Sequence, residues 1–234
     1  MAWAPDRCTL AYALAAGTQE MIHANVNLDP RRGVWLVGCD GTHPRQLIAA
    51  QRFGALDGVQ LPVGIPGLDA LSWSRDGRSV LIVTDAGLIA VDATTGQARS
   101  LVRARAIQAG LPSAAYSPTV PGLFYLANRG DIAEVDYTLV VADAQGHSAR
   151  ALLHSTDLLT SPVWAPDGRG IAYLWQRHVG VRARVTPPLE VRVVDLATRR
   201  IRRVVLPPLP LPLQNGESGQ AAMAWMPARS ARVR

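Results

Sequence analysis

One short phrase constrains the fold of this chain more than any other feature. "AWAPD" at Ala2 to Asp6 returns as "VWAPDG" at Val163 to Gly168. A weaker form, "SWSRDG", occupies Ser72 to Gly77. Two fainter echoes follow, "AYSP" at Ala115 to Pro118 and "AWMP" at Ala224 to Pro227. Recurrence at this period means one structural unit used several times. The aromatic anchors are Trp3, Trp73, Tyr116, Trp164 and Trp225, spaced 70, 43, 48 and 61 residues apart.

After each of the first four anchors the same grammar follows. A turn comes first: "APDR", "SRDG", "SPTVPG" or "APDG". Proline presets φ and glycine accepts positive φ, so these residues favour tight turns. A short apolar run comes next: "TLAYALA", "SVLIVT", "GLFYLA" or "GIAYLW". Runs of this length, rich in β-branched and aromatic residues, read as strands. A third run ends in aspartate, at Asp40, Asp92, Asp143 and Asp195. A hairpin turn and a fourth run close the unit. The interval from Asp92 to Leu101, Asp143 to Leu152 and Asp195 to Val204 is nine residues each time, and from Asp40 to Leu47 it is seven.

Each unit therefore reads as four antiparallel strands. One such sheet cannot bury both of its faces alone; stacking units around an axis does so. The expected fold is all-β, a β-propeller of four-stranded antiparallel blades. The expected blades span about residues 1–53, 67–105, 111–156 and 160–206, with an extra inner strand at 220–227 and a tail at 228–234. The five anchor aromatics are expected to pack as core between blades.

The pattern W-[SA]-P-D-G, then I-A-Y, then V-x-D resembles the WD-like repeat of TolB-type propellers. Arg7 departs from it where the turn glycine belongs, and so does "SPTVPG" in the third unit. The resemblance implies a non-catalytic scaffold that holds a protein partner. A second reading makes the chain the N-terminal propeller of a prolyl-oligopeptidase-like serine peptidase, severed from its hydrolase domain. Such families usually close with six or more blades, so the chain reads as a fragment of a larger ring. The competing reading is a small four-bladed ring, with 220–227 and 1–4 vying for one inner position. Family members are often periplasmic or otherwise extracytoplasmic. The first residues here do not read as a secretory signal, because Asp6 and Arg7 interrupt any apolar segment. The compartment therefore stays open.

Composition narrows the function classes. Hydrophobic residues are 48% and charged residues 18%, which supplies a real core. No run of 18 apolar residues occurs, so no transmembrane helix is expected. The net charge is +6, and all 24 basic residues are arginine. Eight of them lie between Arg177 and Arg203. The surface expected to meet a partner comprises Arg177, His178, Arg182, Arg184 and Arg192. An acidic protein fits it better than nucleic acid, since stacking aromatics do not interleave with these arginines.

Signs of catalysis are missing from the sequence. "NGESGQ" has Gln220 where the G-x-S-x-G elbow needs glycine. The five histidines show neither H-E-x-x-H nor paired spacing, and phosphate-binding glycine motifs are lacking. No catalytic, metal or cofactor residue is therefore assigned. Cys8 begins a second strand and Cys39 ends the third strand of the same unit. A cross-strand disulfide is one reading of them. Two unrelated thiols is the default.

Overall fold

A computed structural model describes residues 1–5, 8–14, 31–52, 70–84, 87–103, 114–128, 136–178 and 188–204. They form four antiparallel sheets, each with its strands in sequence order. Blade 1 comprises β1 (Ala2–Trp3), β2 (Thr9–Leu14), β3 (Gly33–Gly38) and β4 (Arg45–Ala49). Blade 2 comprises β5 (Leu71–Trp73), β6 (Ser79–Thr84), β7 (Gly87–Asp92) and β8 (Ala98–Arg103). Blade 3 has β9 (Ala114–Tyr116), β10 (Leu123–Asn128), β11 (Tyr137–Ala142) and β12 (Arg150–Ser155). Blade 4 has β13 (Leu158–Trp164), β14 (Gly170–Gln176), β15 (Glu190–Asp195) and β16 (Ile201–Val204). The expected inner strand at 220–227 and the tail lie outside the described residues.

The recurring phrase is one corner of a blade, and the same bond closes it each time. The residue after the anchor donates its N–H to a carbonyl five residues on: Ala4 to Thr9, Ser74 to Ser79, Ser117 to Gly122 and Ala165 to Gly170. Asp76 and Asp167 brace two of these corners. Their Oδ1 atoms accept from the amides of Arg78 and Arg169. Gly77 and Gly168 supply the positive φ, at 64° and 69°.

The strand-ending aspartates do the parallel task at the β-hairpins between third and fourth strands. Asp92 Oδ1 accepts from the amides of Thr94 and Thr95, and Asp195 Oδ1 from those of Ala197 and Thr198. Asp143 accepts from Gln145 and His147, and Asp40 from Thr42. These are Asx-type turns. The amides of the Thr residues hold the carboxyls of Asp40, Asp92 and Asp195 below the usual carboxylate range. Their role is therefore structural.

The last of these hairpins carries a misfit. Gly96 and Gly146 take the left-handed position in blades 2 and 3, but Arg199 takes it in blade 4 with φ 57°. Left-handed backbone costs a side-chain-bearing residue about 1–2 kcal/mol. Arg199→Gly is expected to raise stability by about 0.5–1 kcal/mol, less than the strain relieved because glycine is looser when unfolded. Urea unfolding would register this as a higher midpoint at constant slope.

Burial explains why the second and third strands are so apolar. They sit mid-sheet, and in blades 2 and 3 they are covered on both faces, as in β7, where Leu88 to Val91 are all buried. Three apolar layers separate the four blades. Ala11, Val34 and Leu36 of blade 1 meet Trp73, Val80, Ile82, Ile89 and Val91 of blade 2. Leu81, Val83 and Leu88 of blade 2 meet Tyr116, Leu123 and Tyr125 of blade 3. Phe124, Leu126 and Leu139 of blade 3 meet Leu159, Ile171 and Tyr173 of blade 4. Alternation along each strand thus assigns one face to the previous blade and one to the next.

The cysteines overturn the expectation of unrelated thiols. Cys8 and Cys39 form a disulfide with Cα atoms 5.1 Å apart. Thr9 pairs with Gly38 in the β2–β3 register, so the cysteines fall opposite each other one rung beyond. The Cys39 amide donates to the Cys8 carbonyl at 2.9 Å. The bond closes a loop of sequence separation 31. The paired Cys8→Ser and Cys39→Ser variant is expected to lose about 3 kcal/mol. Denaturant unfolding with and without reductant checks this, since reductant should lower only the unsubstituted chain.

Candidate functional site

Three anchor aromatics, Trp73, Tyr116 and Trp164, are tied backward, each to the blade before it. The Trp73 indole N–H donates to the Ala2 carbonyl at 3.0 Å, and that of Trp164 to the Ala115 carbonyl at 3.0 Å. Ala2 and Ala115 each directly precede an anchor. Tyr116 cannot reach back with an indole; its amide donates instead to Ser72 Oγ at 3.0 Å, and Ser72 precedes Trp73. Trp164 also packs on Phe124, with ring centroids 5.6 Å apart. Trp73 and Tyr116 are buried and Trp164 half-buried, whereas Trp3 is 59% exposed. The expectation that every anchor is core therefore fails at Trp3. An anchor is covered by the preceding blade, and among the described residues none precedes blade 1. Trp225 lies outside the described residues.

The arginine surface divides between the two ends of blade 4. Arg177 and His178 directly follow β14 and are exposed. The His178 amide donates to Asp157 Oδ1 at 2.9 Å, which ties this exit to the start of β13. Arg182 and Arg184 lie outside the described residues, in the chain between Arg177–His178 and β15. Arg192 stands apart from them. It pairs with Tyr173 across β14–β15, so it shares the face turned toward blade 3. Its guanidinium carbon lies 3.4 Å from the centroid of the Trp175 ring, a stacked cation–π contact. Its Nε and Nη2 reach Glu190 Oε2 at 3.0 and 2.9 Å. Arg203 of β16 closes on the other Glu190 oxygen at 3.1 Å. Arg199 and Arg200 are exposed at the opposite end, in the β15–β16 hairpin. One carboxylate thus binds two arginines, while Arg177 and His178 stay open beside it.

Two arginines that the sequence pattern passes over join neighbouring blades. Arg45 opens β4 and its guanidinium donates to the Ala93 carbonyl of blade 2. Arg150 opens β12 and donates to the Leu196 carbonyl of blade 4 at 3.4 Å. Each acceptor directly follows a strand-ending aspartate. The shared signal is an arginine at the head of the outer strand, legible only once blades are placed side by side. Shallow clefts lie between neighbouring blades. One of about 230 Å³ has Thr42, His43, Arg45 and Trp73 in its walls, and another of about 320 Å³ has Asp76, Tyr116, Ser117 and Pro121. Among the described residues no three His, Cys, Asp or Glu side chains gather as metal ligands. His154 Nε2 instead pairs with Asp136 at 2.8 Å on the exposed rim of blade 3.

Four-stranded sheets stacked face to face, each bound to the last through its inner strand, define a β-propeller. No protein-family model matches the chain. A stretch of 50 residues is 42% identical to the Tol-Pal system protein TolB of Thioalkalivibrio sulfidiphilus, covering 21% of this chain and 12% of that relative. Acylaminoacyl peptidase of Pyrococcus horikoshii superposes with a TM-score of 0.55 at 12% identity, over 85% of this chain and 31% of that one. The β-propeller domain of the trilobed protease of Pyrococcus furiosus gives 0.51 at 11% identity, over 85% and 54%. Identities this low speak for the fold alone. The chain is a TolB-like β-propeller repeat protein. It spans a small part of the length of the relative it matches in sequence. No helix among the described residues is long and apolar enough to cross a membrane.

Proposed function

We propose that this chain is a non-catalytic propeller scaffold that holds an acidic protein partner at the loop end of blade 4. The observation that carries the reading is the arrangement around Glu190. That carboxylate is bound by Arg192 and Arg203, which leaves Arg177 and His178 exposed at the root of a segment bearing Arg182 and Arg184. Loops on rigid sheets are the usual place for such sites. In this reading Arg192 positions Glu190 and Trp175 beneath the surface, and the partner meets Arg177, His178, Arg182 and Arg184. An extracytoplasmic location fits the disulfide, since such bonds persist in oxidising compartments.

A photoreactive residue at position 178, introduced in the native cell, tests this. A discrete protein adduct is expected, weakened about tenfold by joint charge reversal of Arg177, Arg182 and Arg184. An adduct indifferent to charge reversal would reject the surface. A native product whose mass includes a hydrolase domain would move the reading to the propeller of a serine peptidase.

A further inference from the structure

Three departures from the repeat meet at one junction, between blades 2 and 3. The first is the anchor. Trp73 and Trp164 each turn an indole N–H onto the blade before them, whereas Tyr116 carries a hydroxyl. Tyr116 is 6% exposed. Among the described residues its amide finds a partner in Ser72, but its hydroxyl finds none. Burial pushes the phenol above its usual range, with Arg99 and Asp76 acting on it in opposite senses, so it stays protonated as a donor.

The second departure is the arginine link. Arg45 donates to the Ala93 carbonyl and Arg150 to that of Leu196. Arg99 stands opposite Ala90 as Arg150 stands opposite Val141, each time two residues before a strand-ending aspartate. The matching carbonyl in blade 3 is that of Ala144, directly after Asp143. Arg99 is exposed, and among the described residues it makes no bond to Ala144.

The third departure is the corner. The closing bonds align Thr119, Val120 and Pro121 with Asp76, Gly77 and Arg78 of blade 2 and with Asp167, Gly168 and Arg169 of blade 4. Those two corners are charged. This one is apolar, and Val120 is 48% exposed.

All three departures line the same cleft of about 320 Å³. It lies at the corner end of the blades, opposite the end that carries Arg177 and His178. Val120 and Pro121 give it an apolar wall, Tyr116 a buried hydroxyl, and Ala144 a backbone carbonyl. A buried hydroxyl without a partner is costly, so the cleft favours a guest that brings an acceptor. Arg75 and Asp76 share the rim and offset each other, which favours neither a cation nor an anion. A donor and an acceptor beside an apolar wall match the C=O, the N–H and the side chain of one apolar amino-acid residue.

We propose that the cleft between the corners of blades 2 and 3 binds a peptide segment of a partner protein. One apolar side chain of the peptide seats against Val120 and Pro121. The Tyr116 hydroxyl donates to the backbone carbonyl of that residue, and the Ala144 carbonyl accepts from its N–H. The site is separate from the arginine surface and does not depend on it.

Titration of the isotope-labelled full chain with N-acetyl-leucine methylamide, followed by amide NMR, tests this. Saturable shifts at Ser117, Val120, Gly122 and Ala144 are expected. N-acetyl-glycine methylamide lacks the side chain and should bind about tenfold more weakly. Tyr116→Phe removes the hydroxyl, keeps the ring, and should weaken binding about fivefold. Val120→Asp, at an exposed position, should abolish binding while the Trp73 and Trp164 indole signals stay in place. Cleft amides that do not move, or shifts confined to the exposed Trp3 of blade 1, would overturn the proposal. Equal binding of the leucine and glycine probes would overturn it too, as would a Tyr116→Phe chain that binds like its parent.

Discussion

Trp73→Ala is expected to cost about 4 kcal/mol, within the range for deleting a large buried aromatic. The indole fills the layer between blades 1 and 2 and bonds the Ala2 carbonyl, which truncation leaves without its donor. Trp3→Ala, the same change at the same place in the repeat, is expected to cost less than about 1 kcal/mol, because little of that ring is covered. For a chain of this size the first value lowers the melting temperature by about 8–16 °C. Matched thermal melts of the two variants measure the difference. Equal losses would mean that Trp3 is covered in solution and that the uncovered face of blade 1 is misassigned.

Gly33→Ala should cost about as much, on the order of 4 kcal/mol, from backbone strain together with overpacking. Gly33 starts β3 with φ 136°, a region that side chains rarely enter. A β-carbon there would drive into the Ile48 carbonyl oxygen and lie 3.0 Å from the Ala49 Cα. Both atoms belong to the adjoining strand β4, so no rotamer change relieves the clash. Gly41→Ala is the control. Its φ of 77° is also left-handed, but a β-carbon there meets nothing within 4 Å. It should lose only the strain, about 1 kcal/mol. Urea midpoints for the two variants should separate cleanly, and similar midpoints would show that the β3–β4 junction can give way.

The strands were legible because their cause is local. The corner after each anchor is closed by one local backbone bond and draws on proline, aspartate and glycine, and the hairpin needs the aspartate whose Oδ1 fills it. Four repetitions of that chemistry identify blades without any knowledge of their neighbours. What escaped is whatever depends on a neighbour. Trp3 reads like Trp73, and only the missing contact on one side separates them. Arg192 reads as one of a basic run, and only its pairing with Tyr173 turns it onto Trp175 and Glu190. Arg45 and Arg150 gave no signal, because their acceptors lie in the next blade. Cys8 and Cys39 fall between these cases: the strand reading brought them near each other, and the register decided that they pair.

The backward tie between anchors has a consequence for assembly. Among the described residues, both indole bonds between blades run from a later blade to an earlier one, so the contact that joins neighbouring blades has a direction. Each junction of this kind joins unlike surfaces, a donor on the later blade and an acceptor on the earlier one. Copies joining through a junction of this kind would bring different surfaces together, so a two-fold symmetric dimer cannot form that way. Such a union must be heterologous, and it either curls into a closed ring or runs on as a fibre.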